Sequence, residues 1–345
     1  MHMADALISP AVGGTLWAAA AGLTAFSAKK LKKNLDEHKV PMMGVLGAFI
    51  FAAQMINFTI PATGSSGHLG GGMILAILLG PYAAFLVMAS VLTIQALFFA
   101  DGGLLALGCN IFNLGVFPCF IAYPLIYQKI VGARPTRGRI LLGAMAAAIL
   151  GLQLGALGVV LETWSSGVAE LSLSTFLLLM LPIHLAIGIV EGLITAAVVS
   201  FVWKAHPAIL TQAPHPPAVR VHSHKPLLLG LALFAVVAGG MLSWFASTHP
   251  DGLEWSIKGV TGQEELAGPK EGVHGVMAWI QERLAFLPDY DFRKPEGEKA
   301  ALKEESWPEV SPGKSLAGIL GAAMTLLLAG VIGFGLRRYY SHGKG

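Results

Sequence analysis

The chain opens Met1-His2-Met3-Ala4-Asp5, and a second histidine, His68, sits in a glycine-rich run, Gly64-Ser65-Ser66-Gly67-His68-Leu69-Gly70. A histidine at position 2 turns a chain terminus into a chelator. The α-amine of Met1, the main-chain nitrogen of His2 and the Nδ1 of its ring can close two fused rings around one metal ion. Those three nitrogens lie close to a plane, and a fourth from His68 completes a square. Square-planar nitrogen ligation suits Ni(II) or Cu(II) rather than the tetrahedral habit of zinc. The ion must displace the amide proton of His2, which couples binding to pH. The ligand set requires Met1 to be retained with a free amine, and a residue as bulky as His2 is expected to hinder removal of the initiator methionine.

Other residues could support such a site. Asp101, in Asp101-Gly102-Gly103, and Asp5 are carboxylates that could accept a hydrogen bond from an imidazole and orient it; an ordinary cap or turn role is the competing expectation for each. Asn57, Asn110 and Asn113 fall near helix ends, where hydrogen bonds between helices are the default and a network around the metal loop is the sharper alternative. His184 and Glu191 are the deepest ionisable residues. Seven positions apart, they share a helix face. An intramembrane carboxylate is costly and usually functional, so helix packing or coupling to a partner is expected of this pair rather than direct ligation. The histidines at 206, 215, 222 and 224 read as a solvated loop. Pro312-Gly313-Lys314-Ser315 fails as a phosphate-binding loop, because Pro308 stands where the motif requires glycine. No nucleotide site is expected in this chain.

These residues must be positioned by membrane helices. The composition is 54% hydrophobic and only 12% charged, with 42 glycines, against about a quarter charged in soluble domains. Long apolar runs alternate with short Lys/Arg clusters, the pattern of a polytopic membrane protein. The basic residues do not gather on one face, so no nucleic-acid partner is expected. Cys109 and Cys119 fit no disulfide or zinc spacing and read as small apolar packing residues. The first apolar run, 11–28, carries its lysines after it, so it is expected to stay uncleaved with its N-terminus outside.

Further spans are expected over 42–60, 69–79, 82–99, 105–127, 140–161, 173–203, 227–245 and 316–336. The break at Gly80-Pro81 and the basic loops at 29–39 and 129–139 require an even number of crossings between those loops. The short 69–79 run must therefore cross too, buried among other helices. The fold class is all-α: a seven-helix membrane bundle over 1–204, a cytoplasmic linker at 205–226, and a two-helix accessory unit over 227–345. The accessory unit has an extracytoplasmic loop at 247–313, which holds 13 of the 20 acidic residues and is expected to assist loading without supplying ligands. Nine crossings place the C-terminus in the cytoplasm.

Taken together, Met1-His2-Met3, the loop from Phe58 to Gly72 with His68, Gly80-Pro81-Tyr82, Gln95-Ala96-Leu97, Asp101-Gly102-Gly103-Leu104, Asn110-Ile111-Phe112-Asn113 and the run His184 to Gly192 resemble the substrate-capture subunit of energy-coupling-factor transporters for nickel and cobalt, the CbiM/NikM family. His249-Pro250-Asp251-Gly252-Leu253-Glu254 resembles the PDGLE signature of the small NikN-like accessory subunit. Met3 and Asp5 depart from the family's usual residues without touching the ligand set.

The resemblance implies a metal held by Met1, His2 and His68, in the inner (plasma) membrane of a prokaryote. It implies Ni(II) as substrate, with Co(II) as the alternative. The implied partners are a CbiQ/NikQ-like transmembrane coupling subunit and two CbiO/NikO-like ATP-binding subunits. A membrane metalloenzyme would need a catalytic metal with a nearby base, and no such motif appears. A metal sensor would need a cytoplasmic signalling domain, whereas the chain ends in a short basic tail.

Overall fold

A computed structural model describes residues 2–34, 39–169, 171–209, 225–293 and 307–342. Its helices are α1 (Pro10–Asn34), α2 (Lys39–Gln54), α3 (Gly72–Leu79), α4 (Pro81–Phe98), α5 (Leu107–Val131), α6 (Arg137–Ser166), α7 (Leu173–Ala205), α8 (Lys225–Gly240), α9 (Gly252–Thr261), α10 (Gly272–Leu284) and α11 (Pro312–His342). Six of these, α1, α4, α5, α6, α7 and α11, are long and apolar enough to cross a membrane, and α2 and α8 are shorter apolar helices.

Two expected spans differ from what the sequence suggested. The run 42–60 is helical only to Gln54; Phe58–Ile60 (β1) turns back to pair antiparallel with Ser65–Gly67 (β2). The otherwise helical chain therefore carries a small two-stranded ribbon. The turn between the strands requires positive φ at Ala62 (62°) and Gly64 (70°), which the Pro61–Gly64 segment supplies.

The run 69–79 contains a helix of only eight residues, every one of them buried. Eight residues rise about 12 Å, well short of a hydrocarbon core of about 30 Å. It nevertheless runs antiparallel to α2 along that helix's whole length. The Gln54 amide donates to the Gly70 carbonyl (2.9 Å) at one end, and the Lys39 ammonium donates to the Leu79 carbonyl (3.4 Å) at the other. The extended residues before Gly72 make up the missing length. Such non-helical backbone is tolerated at depth only when buried in protein.

Gly80 (φ 83°) and Pro81 at the first helical position turn the chain into α4, which lies in the middle of the bundle. Within α5, Pro118 and Pro124 have no N–H to offer, and Phe112–Tyr127 winds as π-helix. Wide turns of this kind recur at functional sites. Helix α6 starts on Thr136, whose hydroxyl accepts from the Arg139 N–H (3.3 Å). Cys109 and Cys119 are buried free thiols.

The C-terminal helices are bound to the bundle through small residues. A Cβ at Gly318 would meet the Gly239 carbonyl at 2.2 Å, so α8 and α11 cross backbone to backbone. A Cβ at Gly321 would lie 1.9 Å from the Phe51 ring of α2. Glycine at such crossings lets helices approach closely where lipid offers no hydrophobic drive. Between α8 and α11 the polar stretch folds into α9 and α10. Asp251 caps α9, its carboxylate accepting from the Leu253 and Glu254 N–H groups (2.7 and 2.9 Å), while the Glu254 carboxylate accepts from the Asp251 N–H (2.8 Å). This reciprocal box satisfies donors that a helix N-terminus otherwise leaves orphaned.

Candidate metal site

One end of the bundle holds a cavity of about 860 Å³. His2, His68, Asp101, Asp251 and Asn57 all line it. The two imidazoles stack, with centroids 5.1 Å apart and planes 10° from parallel. The expectation that His2 and His68 share a side of the molecule thus becomes direct contact. Met1 lies outside the described residues, as do His215, His222 and His224 of the linker.

Each ring has a carboxylate beside it. His2 Nδ1 is 3.1 Å from Asp101 Oδ1, and His68 Nε2 is 4.0 Å from Asp251 Oδ2. His68 Nδ1 lies 3.2 Å from the Leu69 carbonyl. A carbonyl only accepts, so Nδ1 carries the proton and Nε2 carries the lone pair. Burial holds the His68 pKa down to about 3, with the neighbouring His2 ring acting in the same direction. The ring is therefore neutral and ready to act as a ligand. Burial alone would raise the Asp101 pKa, but His2 and a hydrogen bond from the Tyr290 hydroxyl hold it below the usual carboxylate range.

His2 Nε2 is buried and has no hydrogen-bond partner among the described residues. A half-turn about the Cβ–Cγ bond exchanges Nδ1 with Cδ2 and Nε2 with Cε1, which would turn Nδ1 away from Asp101 and free it for the chelate. A carboxylate beside an imidazole is the kind of group that orients a metal-bound ring. Among the described residues no three His, Cys, Asp or Glu side chains form a metal-binding group.

The N-terminal segment is clamped from both sides. The Met3 N–H donates to Asn110 Oδ1 (2.8 Å), Asn110 Nδ2 donates to the Met3 carbonyl (3.2 Å), and that carbonyl also accepts from the Gly103 N–H (2.9 Å). Gly103 must be glycine, since a Cβ there would fall 1.9 Å from Asp5 Oδ1. Asp5 itself accepts from the Ala106 N–H (2.9 Å). Asn113 donates to Glu162 of α6 (2.8 Å), an interhelical bond of the default kind. Asn57 lies past the end of α2, and its carbonyl accepts from the Ser247 N–H (2.8 Å).

Glu191, expected as one of the deepest ionisable residues to serve helix packing or coupling, is bonded to the His68 loop. Its carboxylate accepts from the Gly70 and Gly71 N–H groups (2.9 and 3.1 Å), two and three residues from His68. His184 bonds the Met180 carbonyl through Nδ1 (2.8 Å) and lines a small cavity together with His68 and Asp251. A helix-face argument gives the separation of two residues along α7, but not how deep a re-entering loop reaches to meet them.

Sequence reasoning also missed several supports. Gln54 bonds Gly70 and receives a hydrogen bond from Gln95 (2.8 Å). Gln281 donates to the Gly102 carbonyl (2.7 Å), and Tyr290 bonds Asp101. A polar amide inside an apolar helix was the available signal for Gln54 and Gln95; nothing local marked Gln281 or Tyr290.

The fold and site are those of a membrane metal-transport protein. Residues 2–209 match the family described as "Cobalt uptake substrate-specific transmembrane region", and 225–338 match the PDGLE domain. The chain belongs to that cobalt-uptake family, fused to a PDGLE domain, and it is a multi-pass transport protein rather than an enzyme.

Among its relatives, an Archaeoglobus fulgidus protein provisionally named as a fused nickel transport protein NikMN is 31% identical over 98% of this chain and 99% of its own length. The Rhodobacter capsulatus "Fused nickel transport protein NikMN" is 31% identical over 84% of this chain and 88% of its own. A crystal structure described as a truncated transition metal transporter is 32% identical with a TM-score of 0.53, covering 60% of this chain and all of the other.

Proposed function

We propose that the chain captures Ni(II) on the extracytoplasmic side of the membrane and delivers it for ATP-driven import, as the substrate-specific component beside a transmembrane coupling subunit and two ATP-binding subunits. The observation that carries this reading is the stacked pair His2 and His68. Two imidazoles beside a chain terminus, each with a carboxylate at its edge, supply nitrogen donors for a square-planar ion. Met1 supplies the amine and His2 the amide that complete the set. The order of basic loops supports the orientation, with the N-terminus outside and the C-terminus in the cytoplasm.

Nickel is favoured over cobalt by domain coverage. The relatives named for nickel extend over both halves of this chain, whereas a Sorangium cellulosum "Cobalt transport protein CbiM", matched over 94% of its own length, aligns with only 61% of this chain. Glu191 acts in this reading as the link between α7 and the His68 loop. The test is metal analysis of the full chain, purified with a native N-terminus from cells given equal Ni(II) and Co(II), together with uptake when it is expressed with its coupling and ATP-binding subunits. Nickel bound in preference, and imported only with those subunits, is the expected result. Cobalt bound in preference would reverse the substrate assignment.

A further inference from the structure

The turn that carries Asp101 is held by the PDGLE domain. Helix α4 ends at Phe98, and the last carbonyls of a helix find no partner within it. The accessory domain supplies donors to them and to the turn beyond. The Gln281 amide reaches the Ala96 and Gly102 carbonyls (2.9 and 2.7 Å), the Leu287 N–H that of Phe98 (3.4 Å), and the Asp289 N–H that of Phe99 (2.8 Å). These bonds dock one domain on the other through main-chain carbonyls. Tyr290, the next residue, contacts a side chain instead. Its hydroxyl donates to Asp101 Oδ2, while Asp101 Oδ1 lies 3.1 Å from His2 Nδ1.

We propose that Tyr290 is a positioning residue of the metal site: its hydroxyl, delivered by the accessory domain, fixes the Asp101 carboxylate beside the His2 ring. This rests on the ligand set proposed above. The Asp101 N–H donates to the Gln95 carbonyl (3.2 Å), which anchors the main chain but leaves the side-chain torsions free. A hydroxyl on one carboxylate oxygen settles which way the other faces. Loading requires the His2 ring to turn, and a carboxylate already held in place has little side-chain entropy left to lose at that step.

The backbone holds Tyr290 there against its own preference. Asp289 (φ 53°) and Tyr290 (φ 61°) are both left-handed, a genuine outlier for a side chain as bulky as tyrosine. Such conformations persist where the surroundings over-determine them, and they cluster at ligand sites. The Tyr290 ring stacks on Phe99, with centroids 5.1 Å apart and planes 16° from parallel. The Gln95 side chain hydrogen-bonds the same hydroxyl. Gln95 also donates to Gln54, which in turn donates to Gly70 of the His68 loop (2.8 and 2.9 Å). The phenol therefore stands where the supports of the two histidines meet. A simpler role is ring packing on Phe99, with Asp101 serving only to satisfy a part-buried hydroxyl; removal of the hydroxyl alone separates the two.

The test is Ni(II) affinity of the full purified chain with a native N-terminus, measured for wild type, Tyr290→Phe, Asp101→Ala, the double variant and His68→Ala. Phenylalanine keeps the ring and removes only the hydroxyl. Tyr290→Phe is expected to bind nickel about tenfold more weakly. Asp101→Ala is expected to lose at least as much, and Tyr290→Phe added to it should lose nothing further, because the hydroxyl acts through that carboxylate.

Wild-type affinity in Tyr290→Phe overturns the proposal and leaves ring packing as the role. So does a loss from Tyr290→Phe that persists in the Asp101→Ala background, which would make the hydroxyl act through the fold at large. Tighter binding in Tyr290→Phe also overturns it, since the hydroxyl would then hold His2 back from the metal. Nickel retained at wild-type affinity by His68→Ala removes the ligand set itself, whatever Tyr290→Phe does.

Discussion

The N-terminal segment and the 58–71 loop each bring one imidazole to the same cavity, and they are held there by different means. The N-terminal segment is a chain end, fixed by groups that grip it from outside: Asn110 on both faces of Met3, Gly103 on its carbonyl and Asp101 on the His2 ring. The loop is closed at both ends by α2 and α3 and is fixed through its own backbone, by Glu191 on two N–H groups, Gln54 on a carbonyl and the PDGLE turn on Ser66. A free end loses more conformational entropy on ordering than a closed loop. That explains why its clamp uses both the donor and the acceptor of one buried asparagine. His274 on the Ile8 carbonyl and the PDGLE turn on Ser66 show the accessory domain touching both segments.

The largest effects should come from the rings themselves. His2→Ala and His68→Ala are each expected to abolish nickel binding and uptake while the protein remains folded in the membrane, as shown by metal content against a solubility or melting control. Uptake at the wild-type rate in either variant would remove that ring from the site.

Extension of the chain by one residue before Met1 touches neither ring but moves the amine. Metal content should fall to the level of the ring variants, while a tag placed at the C-terminus leaves it unchanged. Equal occupancy in the two would break the proposed chelate and reduce the N-terminal segment to a support like the loop.

Glu191→Gln should weaken nickel binding by about tenfold, since one of two charge-assisted bonds to the loop is replaced by an amide N–H facing an N–H. Asn110→Ala leaves the Met3 N–H unpaired in the interior and is expected to cost about 1–3 kcal/mol, read as a lower melting temperature. If the comparison holds, the two act separately, and their effects add in the double variant to within about 0.5 kcal/mol. Strong coupling would mean that the two segments order as one unit.

The smallest effect is expected from Ser66→Ala. It removes one side-chain hydrogen bond to the accessory domain, worth about 1 kcal/mol, and leaves the main-chain bond to Pro250 in place. Hydrogen exchange at the Ser66 amide should quicken only slightly.

The membrane class, the order of apolar segments and the two histidines were legible in the sequence because each rests on local chemistry. Charge scarcity and run length follow from the cost of polar groups in lipid. A histidine at position 2 chelates through bonds within its own residue and its neighbour. The parity of basic loops required the short 69–79 run to traverse; its helix has only eight residues, is bonded at either end to Lys39 and Gln54 of α2, and is not among the six helices long and apolar enough to cross a membrane. The strand at Phe58–Ile60 was hidden inside an apolar run, where hydropathy does not separate helix from strand.

Which polar groups meet was decided only by the tertiary structure. Glu191 and Gly70 are 121 positions apart, and Tyr290 and Asp101 are 189 apart. No periodicity or spacing records such a distance, because it is set by how the helices pack and by where a re-entering loop stops. His2 and His68 could be named as candidate ligands from their own atoms. Their neighbours could not, since a carboxylate that caps a helix and one that faces a metal ligand look the same in sequence, and Asp251 does both.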